Sequence, residues 1–396
     1  MNTLTHTNRT LRLTALALVS AVAIVLVAAI SAASAQAMPA GSIKPYWHKP
    51  YFKKPTLRHG LLTVRGTRKD DAIALRLKAG DPATLQIDFR DDGSADFSVA
   101  RADVTSILVR AKAGDDSVRM DEANGAFTDT IPTTIDGGPG DDRLSGGKGV
   151  ETFLGGYGND SIDGNGGNDL ARMGAGDDTF IWDPGDGSDT VEGEDGADTM
   201  RFNGAAGAES FDLSANGNRL RFFRNVGNIT MDTNDVERVD VNALGGADVV
   251  TVHDLSGTDV TKVNVDEGNP AGSGLGDGSA DRVVVEGTNG SDVIQAAGSN
   301  GSATVSGLAA LVSVSGAEPA SDTLAINPLD GDDVVIGSAL AASAPKLASD
   351  GGNGNDILVG GAGDDSLAGG AGDDVLIGGP GVDTLDGGAG NNVVIQ

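Results

Sequence analysis

The chain has 396 residues, no cysteine, 60 glycines, 4% aromatic residues and a formal net charge of −29. The lack of cysteine excludes a disulfide framework and a thiol nucleophile, and the negative field argues against a nucleic-acid partner, whose phosphates it would repel. So few aromatics would leave a conventional globular core thin, whereas stacked repeats bury one another and escape that limit.

In chain order, Arg9 and Arg12 precede an apolar run from Leu13 to Ile30, and small residues lead to Ala35-Gln36-Ala37. Residues 1–37 read as a secretory signal peptide cut after Ala37. An uncleaved anchor is the alternative, because the run approaches spanning length. Cleavage removes two positive charges and takes −29 to −31. The expected product is secreted or held at the cell surface, with no stable membrane insertion. Residues 38–60 are a basic Pro/aromatic segment with Lys44, Lys49, Lys53, Lys54 and Arg58 beside Tyr46, Trp47, Tyr51 and Phe52. The preferred reading is a linker that meets the protein's own acidic surface; the other is a strip for an anionic wall polymer or lipid headgroup.

Residues 61–136 form a β-rich module and residues 202–350 further solenoid-like β modules, because apolar residues alternate with period two between Gly, Asn and Asp punctuation. Three stretches share an order of features. They begin with VRGTRKDDAI at Val64, FNGAAGAESF at Phe202 and VEGTNGSDVI at Val285. In the middle of each, an apolar residue lies nine positions before an Asp: Ile107 and Asp116, Val239 and Asp248, Leu324 and Asp333. The first stretch flows into one nonapeptide array and the third into another. The second ends only in the degenerate GSGLGDGSADRV.

The arrays occupy residues 137–201 and 351–396. The second is unbroken: GGNGNDILV, GGAGDDSLA, GGAGDDVLI, GGPGVDTLD and GGAGNNVVI. Position six holds Asp356, Asp365, Asp374, Asp383 and Asn392, and position eight holds Leu358, Leu367, Leu376, Leu385 and Val394. In the first array position six holds Asp142, Glu151, Asp160, Asp169, Asp178, Asp189 and Asp198. A two-residue insertion, Trp182-Asp183, interrupts its register and is expected to bulge out or break the stack. Each unit reads as a turn followed by a short strand: glycines let the main chain coil tightly, and the apolar residue points to one face. Two units make a full coil, so residues 18 apart stack. That pairs Asp142 with Asp160, Asp160 with Asp178, Asp356 with Asp374, Asp365 with Asp383, and Asp374 with the uncharged Asn392. Carbonyl and carboxylate oxygens between such coils are what a Ca²⁺ ion takes.

The G-G-x-G-x-D-x-U-x pattern resembles the repeats-in-toxin (RTX), or hemolysin-type, calcium-binding nonapeptides. The resemblance implies an all-β fold, a parallel β-roll or β-solenoid with flanking β-rich modules. It also implies several Ca²⁺ ions held with Asp142, Asp160, Asp169, Asp178, Asp189, Asp198, Asp356, Asp365, Asp374 and Asp383. Folding should then be coupled to metal binding. Many RTX proteins leave through an exporter that reads a non-repetitive C-terminal tail; here the last repeat ends one residue before Gln396, which favours the signal-peptide route.

No catalytic motif emerges. H-E-x-x-H and G-x-S-x-G are both missing, and of the four histidines His253 reads as a solvated turn residue. The expected role is structural or adhesive, with a cell-surface or matrix partner and no catalysis. The alternative is a polysaccharide-active enzyme or carbohydrate-binding protein on a β-solenoid.

Overall fold

The computed structural model describes residues 52–396; the expected signal peptide and most of the basic segment lie outside the described residues. The described part is built from two long sheets between which the chain alternates. One sheet has 16 strands, and the other strings 17 strands in a single line of pairings.

In the first array the short strands Arg143–Ser145, Ser161–Asp163 and Thr179–Trp182 belong to the second sheet, and Glu151–Tyr157, Leu170–Ala175 and Thr190–Asp195 to the first. Each nonapeptide is therefore half a coil, as its spacing predicts. Parallel pairing sets Ile162 opposite Leu144 and Phe180, and Leu376 opposite Leu358 and Val394. A three-residue strand turns only its middle side chain inward. Leu144, Phe153, Ile162, Ala171, Phe180, Val191 and Met200 consequently form one continuous buried core with their counterparts Leu358, Leu367 and Leu376. Each large side chain so buried contributes about 1.5–3 kcal/mol. Leu385 is only partly buried and Val394 is exposed, as no further coil lies over them among the described residues.

The two-residue insertion does not bulge out. Trp182 extends the strand Thr179–Trp182 and pairs with Phe202. It is fully buried, stacks on the Phe202 ring at 4.0 Å, and donates its indole N–H to the Gly187 carbonyl at 2.8 Å. The coil simply lengthens: Asp169 and Asp189, and likewise Asp178 and Asp198, are coupled 20 residues apart. Burying an indole outweighs keeping a strict period.

The three long-period stretches appear as three antiparallel excursions from the parallel stack. They are Ala72–Lys78, Asp81–Phe89 and Phe97–Ala100; Ser210–Asn216, Arg219–Arg224 and Ile229–Asn234; and Val293–Ser299, Ser302–Ser306 and Leu311–Ser315. The stack continues through residues 202–350, between the two arrays. At the other end, Phe52 stacks on Phe89 at 4.3 Å and Thr56–Arg58 pairs with Leu61–Arg65. Residues 52–60, expected as linker, thus belong to the folded stack.

Candidate metal centres

In the arrays each turn that enters a strand ends at position six, which is acidic in every copy but the last, where it is Asn392. The following strand fixes this residue, because its next-but-one neighbour is the inward apolar residue; the acid therefore also points inward. Asp142, Asp160, Asp169, Asp178, Asp189, Asp198, Asp356, Asp365 and Asp374 are all buried, and Asp383, on the last coil, is half-buried. One carboxylate oxygen of each is satisfied by the neighbouring coil. Asp160 Oδ1 accepts the Asp142 main-chain N–H at 2.8 Å, Asp178 Oδ1 that of Asp160 at 2.6 Å, and Asp198 Oδ1 that of Asp178 at 2.8 Å. On the opposite side Asp169 accepts from Glu151 and Asp189 from Asp169, at 2.7 and 2.8 Å. In the second array Asp374 accepts from Asp356, Asp383 from Asp365 and Asn392 from Asp374, at 3.0, 3.0 and 2.7 Å. The structure thus joins all the pairs that the 18-residue spacing names.

Position five makes a second, exposed ladder in the reverse sense. Asp141 Oδ1 accepts the Asn159 N–H and Asn159 Oδ1 that of Asp177, at 2.8 and 2.9 Å. A cavity of about 480 Å³ opens over this ladder, lined by Asp115, Asp116, Asp141, Asp142 and Asn159 among others.

The other oxygen of each position-six acid carries the chemistry. Oδ2 of Asp142, Asp160, Asp169, Asp178, Asp189, Asp198, Asp356 and Asp374 is buried with no hydrogen-bond partner. Such an atom is costly to leave unpaired. It stands against position one of its own turn, and the position-one carbonyl of the next coil crowds the same space. A methyl at Gly155 would lie 2.4 Å from Asp160 Oδ2 and 2.1 Å from the Met173 carbonyl oxygen. At Gly369 the corresponding distances are 2.5 Å to Asp374 Oδ2 and 2.8 Å to the Gly387 carbonyl oxygen. At Gly155 and Gly369 glycine leaves room for this gathering of bare carboxylate and carbonyl oxygens, whereas Met173 and Pro184 hold position one in the turns to Asp178 and Asp189. No three His, Cys, Asp or Glu side chains share one centre among the described residues. A cation here would draw on the carboxylates of two coils together with main-chain carbonyls.

Burial is the main cause of the raised pKa values of these acids. It pushes Asp142 and Asp178 up to about 6, Asp160, Asp189 and Asp198 up to about 7, and Asp169 up to about 9; donated main-chain N–H groups oppose the shift and neighbouring negative charges add to it. Asp356 rises to about 6 for the same reasons, and Asp365 also rises. Glu151 folds into the column rather than reaching outward. Its Oε2 accepts the Gly147 N–H at 2.8 Å, its Oε1 is bare, and burial pushes it up to about 7.

The columns run well past the arrays. Asp116 accepts from Asp71, and Asp142 from Asp116, at 2.7 and 2.8 Å; Glu237 accepts from Asp198 at 2.7 Å. Asp248 accepts from Glu209, Asp281 from Asp248, and Asp322 from Asp281, at 2.7, 2.7 and 3.0 Å. Asp333 accepts from Asp292 and Asp356 from Asp333, at 2.7 and 2.9 Å. Counting nonapeptides misses these residues. The signal that finds them is an Asp just before a strand and two residues before its first inward apolar residue, as in Asp281-Arg282-Val283 and Asp322-Thr323-Leu324.

His253 is not a solvated turn residue. It follows the strand Val249–Val252, and its Nε2 lies 2.7 Å from Asp212 Oδ2 and its Nδ1 2.7 Å from Glu286 Oε2. Burial lowers its pKa, but the two carboxylates outweigh burial and hold it above the ordinary 6.5.

The family model for the RTX calcium-binding nonapeptide repeat matches residues 134–150, 145–180, 185–206, 350–385 and 359–394. No curated protein matches. Among solved structures, the extracellular lipase LipA from Serratia marcescens is similar at 13% identity and a TM-score of 0.18, covering 55% of this chain and 43% of that one. The chain therefore spans less than half the length of that lipase.

Proposed function

We propose that this chain, which carries two blocks of RTX calcium-binding nonapeptide repeats, holds calcium along its acidic columns and is stiffened by it once outside the cell. The ligands in this reading are Asp142, Asp160, Asp169, Asp178, Asp189, Asp198, Asp356, Asp365, Asp374 and Asp383, with position-one carbonyls of the adjoining coils. The observation that carries it is the row of buried, partnerless Oδ2 atoms, which at Gly137, Gly155, Gly351 and Gly369 share the space beside the glycine with a carbonyl oxygen of the next coil. Bound calcium supplies positive charge and takes roughly six to eight oxygens. The chain's own part is to present those oxygens. Oδ1 is committed to the main chain of the coil before, which orients the carboxylate and leaves Oδ2 free in all but Asp365, whose Oδ2 accepts the Gly361 N–H at 2.6 Å, and Asp383, whose Oδ2 accepts from the Gln396 side chain at 3.2 Å.

With no disulfides, this cross-coil bonding takes the place of covalent staples. Like-charged columns oppose folding until neutralised, so folding and binding are linked. Affinities of about 10⁻⁴ to 10⁻³ M, usual for extracellular modules, suit export through the expected signal peptide. The role that follows is structural or adhesive, toward a cell-surface or matrix partner. His253 is disfavoured as a catalytic base because both its ring nitrogens are bonded to carboxylates, which leaves none free to activate a nucleophile.

The test is far-UV circular dichroism of residues 38–396 titrated with CaCl₂, with MgCl₂ as the control. A cooperative gain of β signal in calcium alone is expected. A chain equally β-rich in chelator would refute the coupling of folding to calcium.

A further inference from the structure

Three turns in this chain open with related residues: Asp136-Gly137-Gly138, Asp350-Gly351-Gly352 and Asp266-Glu267-Gly268. Each leads to a column acid, Asp142, Asp356 or Asp281, which accepts the N–H of the acid one coil earlier. In the first two the residue after the Asp is glycine for a steric reason. A methyl there would lie 2.3 Å from Asp142 Oδ2 or 2.4 Å from Asp356 Oδ2. In the third turn that place is taken by a glutamate. The strand register confirms the equivalence: Asp266 pairs with Asn242 on the coil before and Ser315 on the coil after, so Glu267 follows Ala243 into the column.

Glu267 is 3% exposed, and its Oε2 is buried with no hydrogen-bond partner. No Lys, Arg or His is paired with it among the described residues. Its surroundings are acidic. Burial and then the charges of Asp322, Asp281 and Asp248 push its carboxyl up to about 9. The longer loop behind it is tied down by further acids. Asp266 accepts the Gly268 N–H at 3.0 Å, Asp277 that of Gly246 at 2.6 Å, and Glu318 that of Gly278 at 2.9 Å. The Leu275 carbonyl oxygen lies 3.0 Å from where a methyl on Gly268 would sit. The donors are all oxygen, and the place that holds glycine in the other two turns holds a bare carboxylate here.

We infer that Glu267 and Asp281, completed by main-chain carbonyls, form a calcium site in the segment that has no nonapeptide repeat; Asp248 and Asp322 on the adjoining coils orient Asp281 through its carboxylate and its N–H and are not ligands, both oxygens of Asp322 already accepting main-chain N–H groups. The inference rests on the reading that the neighbouring columns take calcium, but the site lies outside the matched repeats and uses a ligand they lack. A hard ion with flexible coordination fits these donors; Mg²⁺, which demands a near-ideal octahedron and keeps its waters, does not.

The experiment counts ions by native mass spectrometry at graded free calcium on residues 38–396, for the parent, for Glu267→Gln, and for Glu267→Gly, which restores the glycine of the other two turns. Each variant is expected to hold one ion fewer than the parent at saturating calcium. Glu267→Gln should also melt higher than the parent in chelator. Equal ion counts in the parent and both variants at every concentration would overturn the site and leave Glu267 as a buried neutral carboxyl. A parent that binds no calcium at all would overturn the function proposed above, and this site with it.

Discussion

Replacing Asp160 by Asn should change sign between chelator and calcium. Asp160 is 2% exposed, and its Oδ1 accepts the Asp142 N–H, a bond that an amide oxygen keeps. Its Oδ2 is bare and crowds Gly155 beside the Met173 carbonyl oxygen; an amide N–H placed there gains a partner. Burial, opposed by the Asp142 N–H and reinforced by the charges of Asp178 and Asp142, raises its pKa from 3.8 to about 7. A raised carboxyl favours the fold only while it is protonated. The penalty is therefore nil below 3.8, grows as pH rises, and is complete above about 7. About three units correspond to a ceiling of about 4 kcal/mol, and an unsatisfied buried group costs roughly 1–3 kcal/mol. In chelator at pH 8, Asp160→Asn should accordingly be more stable than the parent by about 2–4 kcal/mol. In calcium the order should reverse. One site at a hundredfold excess over its dissociation constant gives about 2.7 kcal/mol, and Asp160 adjoins two coils. Urea unfolding followed by circular dichroism, in EGTA and in 10-fold steps of CaCl₂, measures both. If the variant is the less stable protein in chelator, or if calcium stabilises it as much as the parent, the reading of Oδ2 as a ligand atom is wrong.

Trp182→Ala removes a fully buried indole stacked on Phe202, and should cost about 3–5 kcal/mol in urea unfolding in either condition. A cost below about 1 kcal/mol would mean that the coil recloses to 18 residues. Gly158 has a φ of +119° and faces the Gly140 carbonyl oxygen at 2.3 Å from a would-be methyl; Gly158→Ala should therefore lose at least about 2 kcal/mol, read as a lower thermal midpoint in saturating calcium. His253, held above 6.5 by Asp212 and Glu286 against the lowering effect of burial, lends stability that is complete below 6.5 and fades as pH rises through its folded value. His253→Gln should flatten the fall in thermal midpoint above pH 6.5 at constant calcium, and an imidazole titration by NMR centred at or below 6.5 would contradict the clamp.

Much of the repeat region is legible in the residues themselves. A nine-residue period with glycine at position four, an acid at position six and an apolar residue at position eight dictates half-coils, and an 18-residue coupling follows. Asp356 and Asp374 meet as that arithmetic requires. The alignment of Asp116, Asp248 and Asp333 is also visible, and in the structure each of these accepts from the first acid of its own excursion.

The sequence by itself determined the local objects: turn, strand, inward apolar residue and inward acid, because each is set within nine residues by backbone sterics and alternation. Only the tertiary structure decided what lies across the coil. Trp182 fits because Phe202 offers a face 4.0 Å away, His253 is clamped by carboxylates 41 and 33 residues distant, and Glu267 enters the column because Asn242 and Ser315 fix its register. Such contacts depend on the length of the coil between the partners, which antiparallel excursions and insertions change. No local period can encode them.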